Sequence, residues 1–321
     1  MTAAIETVDL TRRYGKHVAL DQLNLSVAAG SIYGFIGPNG AGKTTTLRLL
    51  AGLLEPSSGE IRLMGQPLKQ GGAQTQRLVG YMPDFFGVYD DLRVWEYLDF
   101  FARCYGLGAT QRRQTVDQLL DLVDLGPKRN AFVQTLSRGM QQRLCLAHAL
   151  VHDPPILLLD EPASGLDPRA RVELRELLRT LRDMGKTVIL SSHILSELAE
   201  VCTEIGIIES GHMLVNGSVD EVQRRLQRSS RLRVRLLRDA ERAQELLRGL
   251  VGVEREGLPT LRAVQADFTD PRALLVELDV VDEEAQASLL AYLISEGLLI
   301  SEYRVQTENL EELFLRLTAS G

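Results

Sequence analysis

Apolar and polar residues alternate near the start of the chain, in Ile5–Leu10 and again in Leu23–Val27 after a turn at Gly15. Such alternation is typical of strands that bury one face. Two further segments, Ile32–Ile36 and Ile156–Leu159, are apolar throughout, as expected of strands buried on both faces of a parallel sheet. The other strands predicted in this part of the chain are a short one within Ser57–Gly65, one over Thr187–His193 and a hairpin over Ile205–Val215.

A different spacing, with apolar residues three and four positions apart, predicts amphipathic helices between these strands. They are Asp91–Phe101, Gln114–Val123 and Arg138–Val151, and Ser137 is suited to cap the last one. We therefore expect a helical subdomain at about residues 84–152, inserted into an α/β fold. Three aromatic residues near its start are expected to lie on an exposed loop and to mark a partner surface, namely Phe85, Phe86 and Tyr89.

The last third of the chain predicts a second, smaller domain at 229–321, after an α/β domain at 1–222. Its elements follow the order β-α-β-β-α-β, which is the order of a small ferredoxin-like α+β domain. They are Leu232–Leu237, Ala240–Leu250, Leu261–Ala266, Ala273–Leu278, Glu283–Ser295 and Leu299–Val305. A final helix, Asn309–Leu317, has an apolar stripe that is expected to pack on a neighbour.

Composition narrows the class of partner. The chain of 321 residues has a formal net charge of −7, so no nucleic-acid partner is expected, since that usually requires a basic stripe. The cysteines show no metal-binding spacing and are expected to be reduced, cytosolic thiols; they are Cys104, Cys145 and Cys202. No apolar run reaches the length of about 18 residues that suggests a membrane span. Any membrane part is therefore expected on another chain.

The segment Gly37–Thr45 carries the strongest chemical signal. It lies between a predicted strand and an apolar helical segment, and it matches the phosphate-binding pattern G-x-x-x-x-G-K-[ST]. In such a loop, backbone N–H groups surround phosphate oxygens, Lys43 contacts the β and γ phosphates, and the Thr44 hydroxyl ligates Mg²⁺. The alternative is an ordinary glycine-rich turn. The residues expected to bind nucleotide are Gly37, Pro38, Asn39, Gly40, Ala41, Gly42, Lys43, Thr44 and Thr45.

Side chains at the ends of other predicted strands can complete a nucleotide site. Asp160 and Glu161 end a buried strand, where α/β proteins place their ligands. Asp160 is a candidate Mg²⁺ ligand, and Glu161 can polarise a water for attack on the γ-phosphate. His193 can contact a phosphate oxygen, and Tyr14 can stack on an adenine ring. The alternatives are two solvated acids, a surface or capping histidine and an exposed loop tyrosine.

Taken in order, these segments resemble the nucleotide-binding subunits of ATP-binding-cassette (ABC) transporters, over about residues 5–220. The motifs that carry the resemblance, besides the phosphate-binding loop, are Leu136–Arg143, Leu158–Pro162, Ser164–Asp167 and Ser192-His193. The resemblance implies a P-loop NTPase cassette with a parallel core sheet, an antiparallel β subdomain and the inserted helical subdomain. It also implies a head-to-tail dimer with two ATP molecules between the subunits.

The resemblance also implies roles for single residues. Tyr14 would stack on adenine, while Thr44 and Asp160 would hold Mg²⁺. Glu161 would act as the general base in catalysis, and His193 would contact the γ-phosphate.

Other residues would act across the implied dimer. Ser137, Gly139 and Met140 of one subunit would face the nucleotide bound by the other. Its γ-phosphate would be held there by Lys43, and Asp167 would lie at the dimer interface.

Two positions depart from the family pattern. The signature Leu-Ser-Gly-Gly-Gln appears here as Leu-Ser-Arg-Gly-Met, so that Arg138 either attracts phosphate or faces solvent. The loop that normally carries a catalytic glutamine has Asp84, whose carboxylate can ligate Mg²⁺ directly or through water and contact the attacking water. Both changes resemble the subgroup that serves ABC-2-type exporters, as does the terminal segment.

The sequence therefore predicts an ATPase subunit at the inner face of the cell membrane, which powers export through a separate permease. ATP and Mg²⁺ are the expected cofactors, a homodimer is expected, and coupling to the permease is expected around Asp84–Trp95. The alternative from another class is a soluble cassette ATPase that acts on ribosomes or nucleic acid, but the single cassette and the acidic charge disfavour it. A kinase would leave the signature segment unexplained.

Overall fold

The computed structural model of the chain describes residues 3–68, 72–84, 87, 91–194, 200–222, 231–253, 255, 257–267, 270–278 and 283–306. The chain divides into two compact units, Met1–Val219 and Asp220–Gly321. The predicted aromatic cluster of Phe85, Phe86 and Tyr89 and the predicted helix Asn309–Leu317 lie outside the described residues. No helix in the described ranges is long and apolar enough to cross a membrane.

Strands and helices alternate along the first unit. Its strands are β1 (Ala3–Tyr14), β2 (His17–Ala28), β3 (Ile32–Ile36), β4 (Ser58–Leu63), β5 (Gln66–Pro67), β6 (Val79–Met82), β7 (Ile156–Leu159), β8 (Thr187–Ser192), β9 (Glu204–Glu209) and β10 (His212–Ser218). Its helices are α1 (Lys43–Leu50), α2 (Ala73–Leu78), α3 (Val94–Cys104), α4 (Ala109–Leu122), α5 (Arg138–Leu150) and α6 (Pro168–Asp183), with 3₁₀ turns at Gly126–Lys128 and Val133–Thr135.

The core sheet has the strand order β10-β9-β3-β8-β7-β6, and all of its strands except β10 run parallel. Strands β3, β7 and β8 are buried at every residue, which accounts for the apolar runs in the sequence. Register pairs Ile36 with Ser192 and Leu159 with both Leu190 and Met82. The carboxyl ends of β3, β8, β7 and β6 therefore meet at one edge, where open α/β sheets bind their ligands.

A second, antiparallel sheet has the order β2-β1-β4-β5 and is the predicted antiparallel subdomain. Its inward side chains, such as Ile5 and Leu23, share one buried cluster with Tyr33 and Phe35 of β3 and Leu47 of α1. The hairpin of β1 and β2 is consequently packed against the elements that flank the phosphate-binding loop.

Helices α3, α4 and α5 lie between β6 and β7, where the sequence predicts a helical insertion. Helix α5 lies close against β6, because a Cβ added at Gly80 would come within 2.2 Å of the Ala149 carbonyl oxygen. At the same joint, His148 of α5 stacks on Phe101 of α3 with ring centroids 3.6 Å apart. Backbone contact thus joins α5 to the core sheet, and ring stacking joins α3 to α5.

Several elements differ from the sequence prediction. Helix α4 begins at Ala109, five residues before the predicted start, and α1 begins at Lys43, inside the phosphate-binding motif. Helix α6 was not predicted, because charged residues dominate it and only a narrow stripe of leucines, including Leu174 and Leu181, is buried. Strand β6 was also missed, because it has four residues and contains a glycine.

The second unit contains one antiparallel sheet and two helices in the predicted order β-α-β-β-α-β. The elements are β11 (Arg231–Leu236), α7 (Ala240–Arg248), β12 (Leu261–Ala266), β13 (Ala273–Leu278), α8 (Glu283–Ser295) and β14 (Ile300–Gln306). The sheet order is β12-β13-β11-β14. Alternate residues of β11, such as Leu232 and Val234, face a core formed with Leu247 and Leu289 of the two helices.

The other face of the sheet β12-β13-β11-β14 is charged. Arg233 donates hydrogen bonds to Asp267 at 2.9 Å and to Glu302 at 2.8 Å, and Arg235 donates to Asp270 at 2.6 Å. The alternating Arg-Leu-Arg-Val-Arg-Leu pattern of β11 therefore divides into an apolar face that packs and a cationic face that is neutralised by acids.

The stacking of His148 predicts a loss of stability in mild acid. Burial, together with a smaller effect of the nearby His152, lowers the pKa of His148 to about 4, so the folded chain keeps this ring neutral. An unfolded histidine has a pKa of about 6.5. Between about pH 6.5 and pH 4, His148 therefore binds a proton in the unfolded chain but not in the folded chain. The free energy of unfolding should therefore decrease over this interval.

We expect wild type to lose about 2 kcal/mol more than His148→Gln between pH 7 and pH 5. Urea unfolding followed by fluorescence of the single tryptophan, Trp95, measures both proteins. His17→Gln, in the exposed hairpin turn, is the control and should retain the wild-type pH dependence. Equal losses in wild type and His148→Gln would show that this ring does not titrate on unfolding.

Candidate nucleotide-binding site

The loop Gly37–Gly42 follows β3 directly and requires glycine at its ends. A Cβ at Gly37 would lie 2.4 Å from the Ile208 carbonyl oxygen, and one at Gly42 would lie 2.7 Å from the Ala19 carbonyl oxygen. Gly42 also has a φ of 109°, which side chains rarely allow, and it immediately precedes the first residue of α1. Close packing and backbone conformation thus fix the loop between β3 and the N-terminus of α1, while its tip at Asn39 and Gly40 is exposed.

Lys43 turns back over this loop. Its ammonium group donates hydrogen bonds to the carbonyl oxygens of Gly37 at 2.6 Å and Pro38 at 3.3 Å, and it lies 3.2 Å from a carboxylate oxygen of Glu161. The side chain is only 6% exposed. The Glu161 carboxylate thus occupies the position beside this buried ammonium that a phosphate oxygen can take.

Asp160 and Glu161 lie at the end of β7 and are linked through Ser191 of β8. The Ser191 hydroxyl donates to Asp160 at 2.6 Å and accepts a hydrogen bond from the Glu161 backbone N–H at 2.9 Å. Asp160 is 1% exposed, so this hydroxyl supplies a partner to a deeply buried carboxylate. Ser191 was not singled out by the sequence, because a serine inside an apolar strand has no motif of its own.

Glu161 is held from three sides. Besides Lys43 and Ser191, the ring nitrogen Nδ1 of His193 lies 2.9 Å from its second carboxylate oxygen. Its backbone has a φ of 48°, in the left-handed region that is unfavourable for residues other than glycine. The structure thus brings together Lys43, Asp160, Glu161 and His193, which the sequence selected separately.

Asp84 follows β6 at the same edge of the sheet. Desolvation raises the pKa of its carboxyl, and the carboxylates of Asp160 and Glu161 raise it further, while Arg138 and His193 act in the opposite direction. Asp84 is therefore close enough to Asp160 and Glu161 to interact with them electrostatically.

Tyr14 lies at the tip of the hairpin, where it pairs with His17. Its ring is 45% exposed, and the guanidinium of Arg12 lies 4.7 Å from the ring centroid. The neighbouring strand β2 contacts the phosphate-binding loop through Ala19. The tyrosine is thus an exposed aromatic on the hairpin that borders the loop.

The signature residues occupy a different place. Ser137 caps α5, and its hydroxyl accepts a hydrogen bond from the Met140 backbone N–H at 3.4 Å. Asp167 caps α6, and its carboxylate accepts a hydrogen bond from the Ala170 backbone N–H at 2.9 Å. Both caps border a cleft of about 540 Å³, which is also lined by Gly139.

None of the residues that line this cleft belongs to the phosphate-binding loop in the described part of the chain. One chain therefore presents two half-sites, which are the loop with its acids and the signature cleft.

Few of the described protein oxygen atoms near the loop are placed to bind a metal ion. Within the described ranges, no group of three or more His, Cys, Asp and Glu side chains is arranged to hold a metal ion by itself. Thr44 and Asp160 fit the other common mode, in which one or two protein oxygens and the substrate's phosphates bind Mg²⁺.

Ser191 provides a test of how this acidic group is built. In Ser191→Ala, Asp160 and the Glu161 N–H lose their partner, so we expect the free energy of unfolding to fall by about 1 to 3 kcal/mol. Ser192→Ala is the control, because that neighbouring hydroxyl, also buried, accepts a hydrogen bond from Ile194 N–H. Urea unfolding by Trp95 fluorescence measures both, and a loss no larger than that of the control would exclude the proposed role of Ser191.

Comparisons with known proteins agree with this geometry. A family model described as ABC transporter matches residues 20–164. The Nod factor export ATP-binding protein I of Cupriavidus metallidurans is 36% identical over 99% of this chain and 98% of its own. The protein of the same name from Ralstonia nicotianae is 34% identical over 99% of this chain and 94% of its own.

Solved structures show the same likeness for the cassette. The ATP binding subunit of an ABC transporter superposes with a TM-score of 0.63 at 31% identity, over 70% of this chain and 93% of that one. A dimeric bacterial ABC transporter cassette superposes with a TM-score of 0.61 at 25% identity, over 67% of this chain and 98% of that one. With relatives above 30% identity along almost its whole length, this chain belongs to the ATP-binding subunits of ABC transporters of the export type, which are ATPases.

Proposed function

We propose that this subunit hydrolyses Mg²⁺-ATP in a head-to-tail dimer and thereby powers export through a membrane permease on another chain. The observation that carries the proposal is the contact of Glu161 with both Lys43 and His193 at the carboxyl edge of the core sheet. A candidate base, a phosphate-binding cation and a sensor for the terminal phosphate thus share one position.

The loop is suited to a polyphosphate. Lys43 already has an anionic oxygen at 3.2 Å, in the carboxylate of Glu161, so a phosphate oxygen fits the same position in size and charge. The N-terminus of α1 adds a partial positive charge beside it, and Gly40 leaves the tip of the loop open. Tyr14, on the bordering hairpin, is the proposed platform for adenine.

The donor set also suits magnesium, whose chemistry is to draw charge from the β and γ phosphates. We assign the Thr44 hydroxyl and Asp160 as its protein ligands, with Asp84 contributing directly or through water. Ser191 keeps Asp160 oriented, because its hydroxyl is bound to one carboxylate oxygen and leaves the other available.

Glu161 is the proposed general base. When phosphate takes its place beside Lys43, the carboxylate is free to accept a proton from the attacking water, and His193 keeps it in position through Nδ1. Glu161 lies just beyond the end of β7 and has a positive φ, and its carboxylate reaches Lys43 of the loop.

The dimer follows from the separation of the two half-sites. The exposed cleft with Ser137, Gly139 and Met140 offers a helix N-terminus to an anion, but in its own chain it does not border the phosphate-binding loop. A second copy placed head to tail would set that helix end against the nucleotide held by Lys43, with Asp167 at the interface. The dimeric cassette among the solved structures supports this arrangement.

Export and the membrane partner are proposed from the relatives, which are named as export ATP-binding proteins. The subunit would act at the inner face of the cell membrane and contact the permease around Asp84–Trp95. The second unit, with its β-α-β-β-α-β order, is proposed as a ferredoxin-like accessory domain. The proposal names no transported substrate and includes no nucleic-acid partner.

The role of Glu161 can be tested by Glu161→Gln. The amide keeps the size of the side chain but cannot take the proton, so we expect turnover to fall by about 10² to 10⁴-fold while ATP still binds. Phosphate release and calorimetric ATP binding measure the two effects. Glu60→Gln, on an exposed hairpin strand, should leave both unchanged. Normal turnover in Glu161→Gln would refute the assignment of the base.

The membrane partner can be identified with the same variant. Tagged Glu161→Gln protein, purified from gently solubilised membranes of the source cells with Mg²⁺-ATP present, is expected to co-elute with a polytopic membrane protein in constant ratio. Mass spectrometry identifies what is bound, and an untagged preparation controls for background. Ribosomal proteins or nucleic acid in place of a membrane protein would overturn the export proposal and leave the ATPase assignment intact.

A further inference from the structure

One face of the signature helix α5 contacts the segment 164–166 of its own chain. Gln142 donates a hydrogen bond through Nε2 to the Ser164 carbonyl oxygen at 3.0 Å, and its side chain is only 7% exposed. The backbone at Gly139 approaches Leu166, whose side chain would lie 3.4 Å from an added Cβ. Arg138 and Gln142 are four residues apart and therefore share this face.

Arg138 covers Gly165. A Cβ built on Gly165 would lie 2.4 Å from the Cζ and one terminal nitrogen of Arg138, so the guanidinium fills the space that a side chain at position 165 would occupy. Gly165 has a φ of 67°, which accounts for glycine there. The planar guanidinium rests on the turn of its own chain.

This segment is joined to the candidate base by a tight turn. The Ser164 N–H donates to the Glu161 carbonyl oxygen at 3.0 Å, so Glu161 and Ser164 belong to one hydrogen-bonded turn. The positive φ of Glu161 is a strained conformation, which persists only while the surrounding structure holds it. Movement of Ser164 and Gly165 would therefore redirect the Glu161 carboxylate.

We propose that Arg138 acts within its own chain, as a positioning residue that clamps the Ser164–Gly165 turn to the signature helix and so sets the position of Glu161. A shift of α5 would then move Glu161 of the same subunit. The N-terminus of α5 would at the same time face the nucleotide bound by the partner. Arg138 links the two nucleotide sites of the dimer. This inference rests on the proposed head-to-tail dimer.

The competing role for Arg138, direct attraction of phosphate, acts across the dimer instead. The two roles therefore differ in which Glu161 they affect. A clamp acts on Glu161 of the same chain, whereas a phosphate contact acts on the site whose Glu161 lies in the other chain.

Mixed dimers separate these roles. Two differently tagged chains are purified in tandem so that each dimer holds one copy of each. The reference dimer pairs wild type with Glu161→Gln, which leaves one intact base. In the first test dimer, Arg138→Gly is on the chain that keeps Glu161. In the second, Arg138→Gly and Glu161→Gln are on the same chain and the partner is wild type.

The clamp predicts that turnover of the first test dimer falls about tenfold to a hundredfold below the reference, as expected for a misplaced catalytic group. The second test dimer should match the reference within about twofold, because its intact base lies in a chain with its own Arg138. The reverse pattern would assign Arg138 to phosphate across the dimer. Equal effects, or none, in the two test dimers would also overturn the proposal.

Arg138→Lys adds a check on the contact itself. Lysine keeps the charge but lacks the planar group that rests on Gly165. We expect this variant, placed as in the first test dimer, to remain impaired. Full recovery would mean that charge alone matters and would contradict the clamp.

A second measurement does not depend on turnover. In the isolated full-length chain, Arg138→Gly should accelerate amide hydrogen exchange at Ser164–Leu166 at least about threefold, because the turn loses its cover. Arg169→Gly is the matched control, since Arg169 is also exposed, lines the same cleft and lies in the first turn of α6. Unchanged exchange in Arg138→Gly would refute the clamp, whereas absent turnover in wild type would refute only the proposed function.

Discussion

The burial of Asp160 is the constraint on which the site depends. A carboxylate that is 1% exposed is unfavourable without polar partners, and the Ser191 hydroxyl of the adjacent strand provides one at 2.6 Å. The same hydroxyl accepts the Glu161 N–H, so one serine fixes both acids at the end of β7. Parallel pairing of β7 with β8 places Ser191 there, and the same register brings His193 to Glu161. The geometry of this acidic group is thus a direct consequence of strand register.

Packing around the glycines imposes the second constraint. Gly37 and Gly42 are enclosed by carbonyl oxygens of β9 and β2, so neither position accepts a side chain without movement of backbone. The loop therefore packs closely against the sheet at both ends, and Lys43 is directed back over it by hydrogen bonds to the Gly37 and Pro38 carbonyl oxygens. An anion site formed in this way is preorganised, which reduces the cost of ordering it when phosphate binds.

Much of this arrangement was predictable from sequence, because the loop glycines, Lys43 and the paired acids occur in motifs whose spacing reflects their geometry. The apolar runs of β3 and β7 identified the core sheet, and the cassette fold of the first unit is confirmed by the solved relatives. Ser191 and the contact of Arg138 with Gly165 were not predictable, because both depend on which strand or turn lies alongside. Helix α6 was missed for a related reason, since its stripe of buried leucines is narrow and its other faces are charged.

The two departures from the family signature can be understood together through this geometry. A glycine at position 138 would leave the Ser164–Gly165 turn without cover, whereas arginine supplies a planar group that fills the space above Gly165. Its charge also opposes the acids that raise the pKa of Asp84. An acid in the loop after β6 adds negative charge beside Asp160 and Glu161, and a cation on the adjoining helix reduces that repulsion. Arg138 is therefore one of two cations, with His193, that partly offset the repulsion at Asp84.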